Sequence, residues 1–116
     1  MPQYVALTYT KDVDWTAPEN AKEMAEYEKF GETHGAVIRG GAALYQTSTA
    51  TTVRVKGARG GEVLLSDGPY AETKEALTGF YLIEAGDLDE AVRIATDLPA
   101  AWDGAVEVRP TIDFGG

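Results

Sequence analysis

The sequence predicts a single α+β domain over residues 1–116, with two helices laid across one face of an antiparallel sheet. Three observations lead there. Several short segments alternate apolar and polar residues with a period of two, as half-buried strands do. Two longer segments repeat their apolar residues every three or four positions instead, the period of a helix. The two kinds follow one another as strand, helix, strand, hairpin, strand, helix, strand, and 44% hydrophobic content is enough for one core.

The first strand is Gln3 to Tyr9, QYVALTY, with Tyr4, Ala6 and Thr8 on one side and Val5, Leu7 and Tyr9 on the other. A polar link holding Asp12, Asp14 and Trp15 leads to TAPE, where Thr16 is the expected helix N-cap, Pro18 sits in the first turn and Glu19 closes a capping box. The helix that follows carries Ala21, Met24, Tyr27, Phe30 and His34 along one stripe and ends at Gly35. The next segment, AVIRGGAALYQ, is apolar enough for a strand, and its Gly40-Gly41 pair signals a bulge, a bend or the close approach of another backbone.

TATTVRVKGARGGEVLLSDG reads as a hairpin, with Thr51, Val53 and Val55 alternating against Thr52, Arg54 and Lys56 before the GARGG turn. LTGFYLIEA then supplies a strand, with Phe80, Leu82 and Thr78 on one face and Gly79, Tyr81 and Ile83 on the other. In GDLDEAVRIATDLPAAW, Asp87 caps a second helix, Glu90 lies three positions on, and Leu88, Ala91, Ala95 and Leu98 form its apolar stripe until Pro99 stops it. AVEVRPT gives a short last strand, and DFGG reads as a frayed tail.

Set aside the hairpin, and the order is βαββαβ, the ferredoxin-like arrangement with an inserted β-hairpin. Its two helices cover one face of the sheet. The strands are apolar on both faces, so the second face calls for another sheet, which a second copy of the chain supplies most simply.

Charge and composition exclude several functions. Nineteen acidic residues against ten basic ones, a net charge of −9, repel a phosphate backbone, so direct nucleic-acid binding is not expected. The basic residues Arg54, Lys56 and Arg59 read as the wet face of the hairpin. The absence of cysteine removes disulfides, thiol nucleophiles and thiolate metal sites, and suits a cytoplasmic location. No stretch approaches a membrane span. Ser48 and Ser66 lack a nucleophile-elbow pattern, GARGG lacks the Lys-Ser/Thr of a phosphate loop, and no metal-binding or cofactor-binding motif is present, so the expectation is no cofactor and no metal.

The run LLSDGPYAETKEALTGFYLIEAGDLDEAVRIATDLP, with AVEVRP after it, resembles the YCII-related family, and in particular the subgroup with an Asp-Gly-Pro-Phe signature followed by Glu-Thr-Lys-Glu. The signature falls on Asp67, Gly68, Pro69 and Tyr70, then Glu72, Thr73, Lys74 and Glu75, with Tyr70 in place of Phe. The resemblance implies a homodimeric α/β-barrel of ferredoxin-like protomers, bacterial and cytoplasmic, with no general reaction established. In some relatives a His near the start of the first helix faces a later Asp; here that region is PENAKE and the only His is His34. Relatives of the subgroup also occur fused to, or encoded beside, extracytoplasmic-function sigma factors.

The motif therefore has two readings. Asp67-Gly68-Pro69 explains itself as a turn, in which Asp67 accepts hydrogen bonds from the backbone just beyond it and Gly68 takes a positive φ. As a ligand pocket it comprises Asp67, Gly68, Pro69, Tyr70, Glu72, Thr73 and Lys74, with Asp67 and His34 as candidate acid–base groups. Nine of the eleven aromatic residues, Trp15, Tyr27 and Tyr81 among them, read first as core and interface and second as the lining of an apolar cavity. The function classes that follow are an uncharacterised homodimeric family member, an enzyme acting on a small organic molecule by acid–base chemistry, and a sensor or accessory protein that binds an unidentified small molecule in connection with transcription regulation.

Overall fold

The structure, a computed structural model, is described for residues 1–115; the last residue of the DFGG tail lies outside them. Six strands, β1 (Gln3–Thr10), β2 (Ile38–Ala43), β3 (Thr51–Lys56), β4 (Glu62–Asp67), β5 (Ala76–Glu84) and β6 (Ala105–Pro110), form two sheets. Three helices accompany them: α1 (Ala21–His34), α2 (Leu88–Ala95) and the single turn α3 (Ala100–Asp103). The larger sheet has the order β2-β5-β1-β6 with every pair antiparallel, the order of the ferredoxin-like arrangement. Among the described residues β3 and β4 pair only with each other.

The period-two pattern of β1 sorts its residues as the sequence predicts. Tyr4, Ala6, Thr8 and Thr10 are buried, while Val5, Leu7 and Tyr9 between them are only partly covered. Tyr4 and Ala6 join Phe30 from α1, Ile83 and Ala85 from the end of β5, and Ala91, Ile94, Ala95 and Leu98 from the α2 region in one core. The helices thus cover a single face. On the other, Val5 pairs with Leu82, Leu7 with Phe80 and Tyr9 with Leu77, an apolar row with no helix over it.

Local corrections have local causes. Thr16 does not cap α1: among the described residues neither the helix nor the 3-10 turn at Pro18–Asn20 that leads into it has a side-chain cap, and Thr16 is held in a turn ahead of both by Asp14, which accepts from its amide and hydroxyl at 2.9 and 2.6 Å. A carboxylate placed two residues ahead is the stronger acceptor and takes the hydroxyl for itself. Thr78 lies with the buried face rather than with Phe80, because a bulge opposite Thr8 and Tyr9 inserts one extra residue into β5 and reverses the alternation there. Thr8, Thr10 and Thr78 share a buried hydroxyl cluster, with Thr8 donating to the Gly79 carbonyl at 3.0 Å.

Other expectations hold. Asp87 accepts from the Glu90 amide at 2.9 Å, capping α2, and Gly40-Gly41 lies at a register shift of β2 against β5. A Cβ at Gly41 would collide with the carbonyl oxygen of Phe80, so the two backbones approach as the glycine pair suggests. Leu88 is the exception in the α2 stripe, remaining half exposed while Ile94 takes its place in the core. Past Pro99 the chain makes the extra turn α3.

Candidate functional site

A cavity of about 270 Å³ opens between α1 and the β2-β5-β1 part of the sheet. Its existence follows from a conflict in side-chain size. The bulged β2–β5 pairing requires small residues where the backbones approach: a Cβ at Gly79 would lie 2.8 Å from the Ala42 carbonyl oxygen. Gly41, Ala42, Ala43 and Gly79 satisfy that need, but they leave unfilled the volume that larger side chains would occupy opposite Met24 and Tyr27 of α1. Trp15, from the loop before the helix, meets Tyr27 edge-on with ring centroids 5.3 Å apart and forms one wall. Thr8, Thr78 and Tyr81 complete the lining.

The polar groups of this lining are few. The indole Nε1 of Trp15 and the phenol oxygen of Tyr27 are buried and have no hydrogen-bond partner among the described residues. A buried donor left in that state costs about 1–3 kcal/mol, so two in one lining are unusual in a native fold. Burial raises the pKa of Tyr27 far above the usual tyrosine value; the charge of Glu23 pushes the same way, and the nearby Ala100 amide opposes it weakly. Burial raises that of Tyr81 also. Both phenols are therefore protonated at neutral pH. No carboxylate or imidazole lines the cavity among the described residues, so its walls offer apolar surface and no base, with the Trp15 and Tyr27 donors buried just behind them.

The residues singled out by the sequence lie elsewhere. Asp67 ends β4, exposed, opposite Thr51. Its carboxylate accepts no hydrogen bond among the described residues, which corrects the expectation that it ties the turn. The backbone does that work: the Gly68 amide donates to the Ala50 carbonyl at 2.8 Å, Gly68 takes a φ of 97°, and the Thr52 hydroxyl donates to the Gly68 carbonyl at 3.0 Å. The Tyr70 ring lies under the Arg54 guanidinium, 5.1 Å from it. Glu72 and Thr73 line a separate pocket of about 250 Å³ with Pro69, Asp12 and Thr47, while Lys74 and Glu75 are exposed.

His34 and Asp67 are joined by no hydrogen bond or ion pair among the described residues. His34 instead meets Asp97, just beyond α2, at 2.7 Å, and its ring packs against Phe30. That contact ties the end of α1 to the end of α2. Sequence reasoning included Trp15, Tyr27 and Tyr81 among the aromatic residues that could line a cavity, but it did not join them to Gly41, Ala43 and Gly79. The available signal was the run of small residues in β2, set against a helix stripe of Met24 and Tyr27.

A family model, the YCII-related domain, matches residues 3–115, which takes in the whole sheet, both long helices and every residue of the cavity. The chain belongs to the YCII-related family. Among proteins of this kind it is 49% identical, over 114 aligned positions, to a protein of Rhizobium meliloti (strain 1021) described as uncharacterized; the match covers 92% of this chain and 90% of the relative. A solved structure, that of the 5-chloro-2-hydroxyhydroquinone dehydrochlorinase of Burkholderia phenoliruptrix in complex with 2,5-dihydroxybenzoquinone, superposes with a TM-score of 0.50 at 18% identity, covering 97% of this chain and 95% of that one. At that identity the likeness is one of fold, and it agrees with a mixed α+β architecture of antiparallel sheets. No general reaction attaches to the YCII-related family, so activity has to be argued from the site.

Proposed function

We propose that this YCII-related protein binds a neutral small molecule, about one substituted ring in size and bearing an oxygen acceptor, in the cavity between α1 and the sheet. The observation that carries this reading is the pairing of an apolar lining with the two unpartnered donors, Trp15 Nε1 and Tyr27 Oη. A cavity of about 150 Å³ suffices for benzene, so about 270 Å³ leaves room for ring substituents. Both donors are buried behind the lining, so a small turn of the Trp15 and Tyr27 side chains toward a bound acceptor would remove their desolvation penalty. Among the described residues no cation lines the wall to hold an anion, and the net charge of −9 discourages one at long range. That the fold neighbour binds an oxygen-bearing ring agrees in ligand size.

With both phenols protonated, this lining favours a binding or sensing role over acid–base turnover. We also read the chain as a cytoplasmic member of the Asp-Gly-Pro-Phe subgroup. The β3–β4 sheet is then an arm inserted in the ferredoxin-like core, and Asp67 to Lys74 is its elbow. The apolar row of Val5, Leu7, Tyr9, Leu77, Phe80 and Leu82 would meet the same row of a second copy to make a dimeric α/β-barrel.

The test uses the fluorescence of Trp15 in a Trp102→Phe background, since these are the two tryptophans of the chain. Titration with catechol or hydroquinone is expected to give a saturable change that benzoate does not reproduce. Ala43→Phe, which fills the cavity from β2, is expected to weaken binding by about tenfold or more while leaving the far-UV circular dichroism unchanged. A linear, non-saturating response identical in both proteins would contradict the proposal.

A further inference from the structure

The β3–β4 sheet is the most exposed regular structure in the molecule. Its register places Val53 opposite Leu65 and Val55 opposite Val63, so these four side chains share one face. All four are exposed, Val53 and Val63 at 60% and Leu65 at 66%. Thr52, Arg54 and Lys56 occupy the opposite face, where Arg54 is stacked on Tyr70. A two-stranded sheet is marginal by itself in water, and among the described residues this one packs broadly against no other element.

We propose that the apolar face of this arm, Val53, Val55, Val63 and Leu65, is a clasp that packs onto a second copy of the chain. The inference rests on the homodimer proposed above and adds a contact which face-to-face packing of the larger sheets does not require.

Surface area supports that occupant. The accessible surface is 8007 Å², whereas a compact monomer of this mass exposes about 6,100 Å². The excess, about 1,900 Å², is more than twice the roughly 800 Å² that each partner buries in a stable complex. The molecule is also a plate, 46 × 43 × 19 Å, with a radius of gyration of 16.3 Å where about 13 Å is expected for this length.

Charge supports it too. Residues 51–67 carry three basic and two acidic residues, whereas the rest of the chain carries seven basic and seventeen acidic ones. Each arm therefore carries a net charge of +1 toward a body of −10, so the attraction between arm and partner body offsets part of the repulsion between two acidic chains.

The experiment measures dimer dissociation by sedimentation for the wild type, Leu65→Asp, Val53→Asp and, as a control on the opposite face, Lys56→Gln. A carboxylate buried against the partner is expected to weaken the dimer about a hundredfold in the first two variants, with the control unchanged. A wild-type dimer that the Asp variants leave unaffected overturns the clasp and spares the sheet-face dimer. A wild type that is monomeric at all concentrations overturns both. Because an arm variant could misfold, hydrogen exchange of the wild-type β3 and β4 amides is followed in parallel as protein concentration rises. Slowing with concentration supports the clasp. Exchange independent of concentration means that the arm packs on its own chain or on nothing, and overturns it.

Discussion

Gly41 and Gly79 show how one backbone requirement creates a functional possibility. Each sits where a side chain would strike the neighbouring strand, and the volume they leave empty becomes the cavity under Trp15 and Tyr27. The glycine pair in β2 was legible in the sequence as a close approach, but the cavity was not, because it depends on which helix residues stand opposite. Asp67 shows the reverse. Its place in an Asp-Gly-Pro turn suggested a side-chain tie worth about 1 kcal/mol, whereas the structure gives the tie to the Gly68 and Ala50 backbone groups. Asp67→Ala and Asp67→Asn should therefore unfold within about 0.5 kcal/mol of the wild type and of each other in denaturant. A clear loss in the Ala variant alone would restore the side-chain role.

At the level of elements, strands and helices were readable where the chain keeps its period, and misread where the period breaks. The alternation of β1 and the Asp87 cap of α2 both hold, because local residues determine them. Thr78 was assigned to the wrong face because a bulge is a property of two paired strands, and one strand's alternation does not record it. The packing of α1 on β5 also makes a prediction about pH, because Tyr27 and Tyr81 have raised folded-state pKa values, mainly through burial. The folded chain then holds these protons more tightly than the unfolded chain. Stability from this source is complete below the unfolded tyrosine value, near 10.0, and is lost as pH rises above it. Thermal unfolding should show a decline in melting temperature above about pH 10 that is shallower in Tyr27→Phe. An equal decline in both proteins would contradict the burial argument.

For the whole molecule, two apolar surfaces lie outside the core: the uncovered face of the larger sheet and the arm. The first was visible in the sequence, since β1 and β5 carry apolar residues on both sides while two helices cover only one. The second was half visible. The hairpin and its alternation could be read, but exposure of both its faces could not, because nothing local says that an arm will stand clear of its own body. Both surfaces lead to the claim that the functional unit is a pair of chains, each with a cavity on the helix side of its sheet. Sedimentation equilibrium of the wild-type protein at low micromolar concentration tests it most directly. A mass twice 12.4 kDa is the predicted result, and a single 12.4 kDa species, unchanged as concentration is raised, would contradict the claim.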